Sequence, residues 1–298
     1  MADPRVAKLA DLLVNYSLQL SPGQIVRIDG GTIAAPLVTE LYRSALRAGA
    51  NPRTHVEVEG LDVIAVNQSS DDQLTFVSEL DRFEIEQIDA VVTIWGDRNT
   101  RALSQADPQR LTARIASRRP LTDRFWERID QGAAAWVGTR FPTDAHAQDA
   151  DMSLEEYEDF AYGACHVQVG EDPVAHWRAV SIELNERARE LDTFRELRIV
   201  GSDTDLRVGV EGRSWLAADG RLNMPDGESS RARSRRRRVA TSAFRFRPSS
   251  RDGVSRTFDC GSRTAASRTP KRRAARTSFE RCSTWTTGLG SSVRCRSA

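Results

Sequence analysis

The sequence lacks the features that mark membrane or secreted proteins. It has no apolar run long enough to span a bilayer, which takes about 20 consecutive apolar residues. Its opening stretch, MADPRVAKLADLLVNYSLQL, carries charges throughout and has no small-residue cleavage site, which is not the pattern of a secretory signal. These absences predict a cytoplasmic protein that does not associate with membranes.

Cysteine and lysine are also scarce. Cys165 is the only cysteine in residues 1–228, so no disulfide can form within that part, as is typical of a reducing compartment. We interpret it as a small buried apolar residue. Only two of the 43 basic residues are lysine. Because arginine codons are GC-rich, we infer that the gene is GC-rich.

Charge is distributed unevenly along the chain. Residues 229–298 contain 19 of the 43 Lys and Arg but only 3 of the 42 Asp and Glu, which is a net charge of +16. Residues 1–228 therefore carry a net charge of −15. Blocks of like charge are typical of tails, and this segment has too few aliphatic residues to bury a core. We predict a disordered Arg/Ser-rich tail at 229–298.

Strand and helix patterns alternate through residues 1–192. A period of 3.6 predicts an N-terminal helix over 5–20. The stretch DQLTFVSELDRFEIEQ predicts one helix over 72–87, and it leads into a buried strand, IDAVVTIWG, at 88–96. A further helix is predicted around 121–130. Alternating strands and helices predict an N-terminal parallel-sheet α/β domain over 1–192.

The pattern changes after Leu191. The stretches ELRIVGS, TDLRVGVEG and SWLAADG read as short strands joined by tight turns, with no helix between them. They predict the start of a β-rich α+β domain at 193–228. This segment supplies about three strands, fewer than a sheet domain of usual size contains.

Two polar stretches are candidate sites on their residues alone. DAHAQDADM places His146 near Asp144, Asp149 and Asp151. The spacing fits no standard metal site, and we interpret the stretch as a polar loop or a helix start. GDRNTRALSQ, at 96–105, follows a predicted strand, which is where open sheets bind ligands. It has no Gly-rich phosphate loop, but it leaves a small-molecule-binding domain as one hypothesis.

Five stretches within residues 5–228 point to a known family. They are LLVNYSLQLSPGQIVRIDGG, APLVTELYRSALRAGANP, WVGTRFPTDAHAQDADMSLEEYEDF, TDLRVGVEGRSWLAADG and NMPDGE. With them the chain resembles the aminopeptidase T family of bacterial metallo-aminopeptidases, the thermophilic metalloprotease family. The resemblance implies an N-terminal α/β domain, a C-terminal domain with a two-metal site, removal of N-terminal amino acids from peptide substrates, and a homodimer.

The resemblance assigns one metal ligand in this sequence. In the family, the glutamate that closes the MPDGE motif binds metal, and the matching residue here is Glu228. The remaining family ligands are a second glutamate, two histidines and an aspartate further along, and this sequence shows none of them. The implied ions are zinc, cobalt or manganese, held by about three or more protein ligands. We therefore predict that this chain binds no such ion and is inactive, and we assign no catalytic or cofactor-binding residue.

The codons that follow Glu228 offer an explanation for the basic tail. Family members continue after MPDGE with VFT and a glycine or proline, and V-F-T-G-P in GC-rich codons is GTC TTC ACG GGC CCG. Deleting the first G makes this S-S-R-A-R, which is the sequence of residues 229–233. A one-base shift likewise turns FERCSTWTTGLGSSVRC, at 279–295, into FRAVLDMDDGARELGEV, which has balanced charge and resembles the family. We interpret 229–298 as a family domain read out of frame.

The alternative function is nucleic-acid binding by the tail. RARSRRRR, at 231–238, could neutralise phosphates, and Phe244, Phe246 and Trp285 could stack on bases. An out-of-frame read of GC-rich DNA also yields Arg, Ser, Ala and Thr, so composition does not separate the two explanations. Under the frameshift hypothesis we expect only non-specific, salt-sensitive contact with nucleic acid.

Overall fold

The computed structural model describes residues 3–201, 204–212 and 214–231. The tail predicted at 229–298 therefore falls almost wholly outside the described residues. Within them, nine helices and nine strands are present. No helix in these ranges is long and apolar enough to cross a membrane.

The helices are α1 Pro4–Leu12, α2 Ala35–Arg47, α3 Leu61–Gln68, α4 Asp71–Thr75, α5 Glu79–Gln87, α6 Pro108–Asp130, α7 Asp144–Asp149, α8 Leu154–Ala164 and α9 Pro173–Asp192. A π-helical turn, Leu13–Ser17, extends α1, and a 3₁₀ turn, Thr32–Ala34, precedes α2. The strands are β1 Ile25–Gly31, β2 Asn51–Glu57, β3 Ala90–Trp95, β4 Ala135–Arg140, β5 Glu196–Gly201, β6 Thr204–Gly209, β7 Trp215–Ala218, β8 Asn223–Met224 and β9 Glu228–Arg231.

A five-stranded parallel sheet organises the fold. Its strand order is β2-β1-β3-β4-β8, and every neighbouring pair is parallel. Helices connect its first four strands, as parallel strands require a crossover. The parallel-sheet α/β fold predicted from the sequence is confirmed.

The sheet is covered on both faces. The larger core packs α1, α2 and the start of α9 against one face and includes Ile28 and Val92. A smaller cluster on the other face contains Val91, Ile85 and Phe125. Val91 and Val92 are adjacent in β3 and belong to different clusters, because successive side chains of a strand point to opposite faces.

The helix predicted over 72–87 is two helices, α4 and α5. Ser78 separates them with an extended backbone, and its hydroxyl oxygen accepts a hydrogen bond from the Leu80 N–H at 3.1 Å. Asp81 accepts the Ser78 N–H in return at 3.1 Å, which completes a capping box. The sequence prediction missed this N-cap because the apolar periodicity continues across it.

The helix predicted around 121–130 begins much earlier, at Pro108. Asp107 caps it by accepting the Gln109 N–H at 2.8 Å. Pro120 lies inside this helix, although proline removes one helical hydrogen bond. The helix nevertheless continues through Pro120, because α6 packs along α4 and α5.

The chain divides into two compact units. The first comprises residues 1–187 and 216–230, and the second includes 188–215. In the second unit β5 pairs antiparallel with β6, and the Val210 N–H donates to the Arg195 carbonyl at 2.7 Å. Residues 216–230 therefore pack with the unit that contains the parallel sheet.

Two histidines stack at the start of α9. The ring centroids of His166 and His176 are 3.4 Å apart, with 22° between the planes. Burial lowers the pKa of His176, and the neighbouring imidazole lowers it further, while Glu171 acts in the opposite direction. The folded chain therefore takes up a proton at His176 less readily than the unfolded chain does.

This pair predicts a specific response to acid. The stability that neutral His176 contributes is complete above pH 6.5, the ordinary value for histidine, and is lost as the pH falls through the lower folded-state pKa. His176→Gln should therefore reduce the loss of unfolding free energy below pH 6.5, as measured by urea unfolding at a series of pH values. Arg178→Gln, at an exposed position on α9, is the control and should keep the parent profile. Superimposable profiles for His176→Gln and the parent chain would refute the prediction.

Candidate metal-ligand segment

The segment that carries Glu228 is attached to the edge of the parallel sheet. Strand β8 pairs with β4, with Asn223 opposite Gly138 and Met224 opposite Thr139. The Thr139 hydroxyl donates to the Met224 carbonyl at 2.8 Å. Both residues are only 1% exposed. Met224, the second residue of the NMPDGE motif, thus lies inside the core, while Asn223 is exposed.

The residues before β8 are held by the π-helical turn that extends α1. The Tyr16 hydroxyl lies 2.7 Å from the Asp219 carbonyl and 2.9 Å from the Trp177 carbonyl, and it can donate to one of them at a time. The Ser17 hydroxyl donates to the Gly220 carbonyl at 2.7 Å. These bonds fix the entry to the motif in a buried environment.

Gly220 allows the chain to pass close to the core. Its φ of +87° lies in the left-handed region, which favours glycine. A Cβ there would lie 2.7 Å from the Met224 Cε and 3.0 Å from the Trp177 Cε3. Only a residue without a side chain fits between these two.

The Asp219 side chain adds a polar contact at the same place. It accepts a hydrogen bond from the Ser181 hydroxyl at 2.6 Å, and its carboxylate is 3.5 Å from the Arg221 guanidinium. Buried carboxylates require such partners. Asp219 therefore links α9 to the motif's entry.

Glu228 follows a tight turn. Met224–Pro225 is a cis peptide, and the Gly227 N–H donates to the Ala218 carbonyl at 2.9 Å. Glu228 then opens β9, which pairs with β7, and its side chain is exposed. The carboxylate is thus delivered to the surface at the end of a well-anchored segment.

Asp226, two residues before Glu228, carries a second carboxyl group in this segment. Burial raises its pKa to about 6, and repulsion from Glu228 and Asp219 adds to the effect, while the Gly227 N–H opposes it. Burial is the main cause of the shift, and the Asp226 and Glu228 carboxylates also repel each other. A positive group placed against these two carboxylates would be stabilised.

The donor set in the described ranges does not fit a catalytic metal ion. No three His, Cys, Asp or Glu side chains among residues 3–201, 204–212 and 214–231 are grouped so that they could hold one. A catalytic ion needs about three protein ligands. All four histidines of the sequence precede Glu228, so none occupies the positions after it where the family places its two.

His146 forms a contact with a different element. It lies on α7, which starts at a Thr143 cap, so the predicted helix start is confirmed. His146 is 5% exposed, and its Nε2 is 3.2 Å from the Asp97 carboxylate. The aspartates near it in sequence do not join it in a metal group. The stretch joins two strand ends rather than forming a metal site.

Polar side chains of the loop after β3 pair with residues elsewhere in the protein. Thr100 donates to the Asp149 carboxylate at 2.6 Å, and Arg98 is 3.6 Å from the Glu59 carboxylate. Asp97 pairs with His146, so three residues of the loop contact other parts of the protein. Cys165 is buried, as the sequence suggested, and burial raises its thiol pKa to about 12. A thiol in this state is inert as a nucleophile.

The Tyr16 hydroxyl offers a test of how firmly the motif's entry is held. Tyr16→Phe removes the hydroxyl group that donates to the Asp219 or the Trp177 carbonyl. Because these carbonyls are buried, the loss of this donor should lower the unfolding free energy by about 1–2 kcal/mol. Tyr42, which is 40% exposed, supplies the matched control. Tyr42→Phe should leave stability within about 0.5 kcal/mol of the parent. Equal unfolding midpoints in urea for both variants would show that the contact does not stabilise the segment.

Comparison with known proteins gives a matching family model and similar solved structures. The model of a family described as thermophilic metalloprotease (M29) matches residues 2–254. Wild-type AmpT from Thermus thermophilus superposes with a TM-score of 0.62 at 22% identity, covering 74% of this chain and 59% of that one. At this identity the likeness shows the fold alone. The chain spans about three fifths of the length of that relative.

A second solved structure and a search of curated proteins give no further information about the fold. A transcription repressor of the LacI family from Corynebacterium glutamicum gives a TM-score of 0.25 at 11% identity, over 54% of this chain and 53% of its own. Such a score supports no structural inference. A search of curated proteins finds no match.

Proposed function

Because this chain belongs to the thermophilic metalloprotease family M29, we propose that it derives from a metal-dependent aminopeptidase that removes N-terminal amino acids from peptides. The observation that carries the proposal is the NMPDGE segment, which is anchored by β8 in the sheet and presents Glu228 at the surface. We further propose that the 298-residue chain itself is inactive.

The inactivity follows from the missing ligands. In an intact enzyme of this kind, divalent ions polarise the scissile carbonyl and supply a nucleophilic water at neutral pH. Glu228 and the neighbouring Asp226 are two carboxylates, and the described residues bring no third donor to them. This donor set does not fit the ions, so we derive no catalytic step from it.

We propose a three-part organisation for the chain as it stands. Residues 1–192 form the N-terminal α/β domain, 193–228 the beginning of the C-terminal metallopeptidase domain, and 229–298 an out-of-frame product of the rest of that domain. A cytoplasmic location and a homodimer are part of the same proposal for the intact protein. The codons that turn V-F-T-G-P into the S-S-R-A-R of residues 229–233 after a one-base deletion support the third part.

The alternative is a nucleic-acid-binding protein. The 19 basic residues of 229–298 favour it, since such a segment would neutralise several phosphates and bind with steep salt dependence. A selected site would prefer one nucleic acid over another at physiological salt. Equal, salt-sensitive binding to all nucleic acids would support the out-of-frame origin.

Activity measurements test the main proposal. The purified 298-residue chain and a version with the reading frame corrected after Glu228 are assayed on leucine p-nitroanilide, with zinc, cobalt or manganese added and with a chelator. We expect metal-dependent hydrolysis from the corrected version alone. Hydrolysis by the 298-residue chain would contradict its inactivity. Failure of the corrected, folded version with every metal and several amino-acid anilides would contradict the aminopeptidase assignment.

A further inference from the structure

A cleft of about 350 Å³ lies at the carboxyl end of β2, the edge strand of the parallel sheet. Its volume is within the range of small-molecule sites. The cleft is formed by the end of β2, the turn that follows it, α3 and α6. Its lining residues are His55, Val56, Glu57, Val58, Leu61, Asp62, Ala65 and Arg114.

The apolar part of the lining is exposed to solvent. Val58 and Leu61 are each 55% exposed, and Val56 is 39% exposed. Ala65 adds a further methyl group from the next turn of α3. Aliphatic side chains that converge on one cleft and remain open to water gain free energy when an apolar group covers them.

The charged part of the lining lacks strong partners. The half-buried Arg114 guanidinium makes one long hydrogen bond, 3.4 Å to the Asp62 carbonyl, and no ion pair with any described residue. The Glu57 carboxylate has neither a hydrogen bond nor an ion pair in the described part of the chain. By contrast, three of the six arginines of α6 pair with carboxylates: Arg110 with Asp71, Arg119 with Asp123 and Arg124 with Glu86.

We propose that this cleft binds a free α-amino acid with an aliphatic side chain. Arg114 would receive the ligand carboxylate through charge-assisted hydrogen bonds, and Glu57 would receive the ammonium group. The aliphatic side chain would lie against Val58 and Leu61. The Arg114 cation, the Glu57 anion and the aliphatic wall match the three parts of such a zwitterion. The site lies in the α/β domain and does not depend on peptidase activity.

Calorimetric titration of L-leucine into the full 298-residue chain tests the proposal. We expect saturable binding, and we expect both leucinamide and isocaproate to bind at least about tenfold more weakly, since each lacks one of the two charged groups. These ligands require no variant, so the test does not depend on a substitution that folds. No saturable binding of leucine, or equal binding of all three compounds, would overturn the proposal.

Substitution then locates the site. Arg114→Met keeps the aliphatic stem and removes the charge, and it should weaken leucine binding at least about tenfold. Glu57→Gln should weaken leucine binding but leave that of isocaproate unchanged. Arg118→Met, one turn along α6 and outside the lining, is the matched control and should bind leucine normally. Unchanged leucine binding in folded Arg114→Met and Glu57→Gln would place any observed site elsewhere.

Discussion

Replacing Met224 by alanine is expected to lower the unfolding free energy of this chain by about 2–5 kcal/mol. Met224 is 1% exposed and belongs to the main core, where its Cε fills the space that Gly220 leaves open. Truncation removes buried apolar surface and leaves a cavity, because the strand pairing of β8 with β4 holds the backbone in place. The effect is large for a segment that contributes only two residues to the sheet.

Urea unfolding monitored by tryptophan fluorescence measures this change. Met152, which is 37% exposed, provides a matched control. Met152→Ala should stay within about 0.5 kcal/mol of the parent chain. If Met224→Ala were equally mild, β8 would not be part of the core, and the argument that the core positions Glu228 would fail.

In a chain whose frame is corrected after Glu228, Glu228→Gln is expected to lower kcat/KM by about a thousandfold. Metal-based stabilisation of transition-state charge contributes several kcal/mol, and each 1.36 kcal/mol corresponds to a factor of about ten. A neutral amide is a poorer ligand than a carboxylate for a divalent ion. The loss should therefore appear in metal affinity as well as in rate.

Two controls make the Glu228 result specific. Glu186→Gln, at an exposed position on α9, removes one carboxylate elsewhere and should leave activity and zinc affinity unchanged. In the 298-residue chain, Glu228→Gln should not alter zinc affinity, because the other ligands are missing. Full activity of the corrected Glu228→Gln enzyme would exclude this residue as a ligand.

The parallel sheet could be predicted because its longer strands have a recognisable pattern in the local sequence. The strand Ala90–Trp95 is a continuous apolar run, and helices with clear periodicity flank it. Strand β8 could not be predicted in the same way. It is two residues long, and its place beside β4 depends on Thr139 and on the core around Met224. Nothing in the local pattern of Asn223 and Met224 indicates that they belong to the sheet.

The candidate sites also divide into features that the sequence indicates and features that only the folded structure reveals. Glu228 was identified from a motif, and the structure adds the anchoring of its segment by Tyr16 and Thr139. The contact of His146 with Asp97, 49 residues earlier in the chain, depends on two neighbouring strands ending together. The cleft at Arg114 and Glu57 was not found from the sequence, because those residues lie on α6 and β2, far apart in the chain. Residues that come together only in the folded structure leave no regular spacing in the sequence.

Resequencing the source DNA, from the codon for Asn223 to about a hundred bases past the stop, tests the central claim most directly. We expect the reading frame that continues MPDGE with VFT to be present, displaced by one base from the frame of Ser229, and to lead into a downstream open frame that encodes the missing histidines. An extra base in the new read would correct the chain to a complete aminopeptidase, and a confirmed deletion would identify an interrupted copy. DNA that encodes no aminopeptidase sequence in any frame downstream would contradict the claim and make the basic segment a genuine part of the protein.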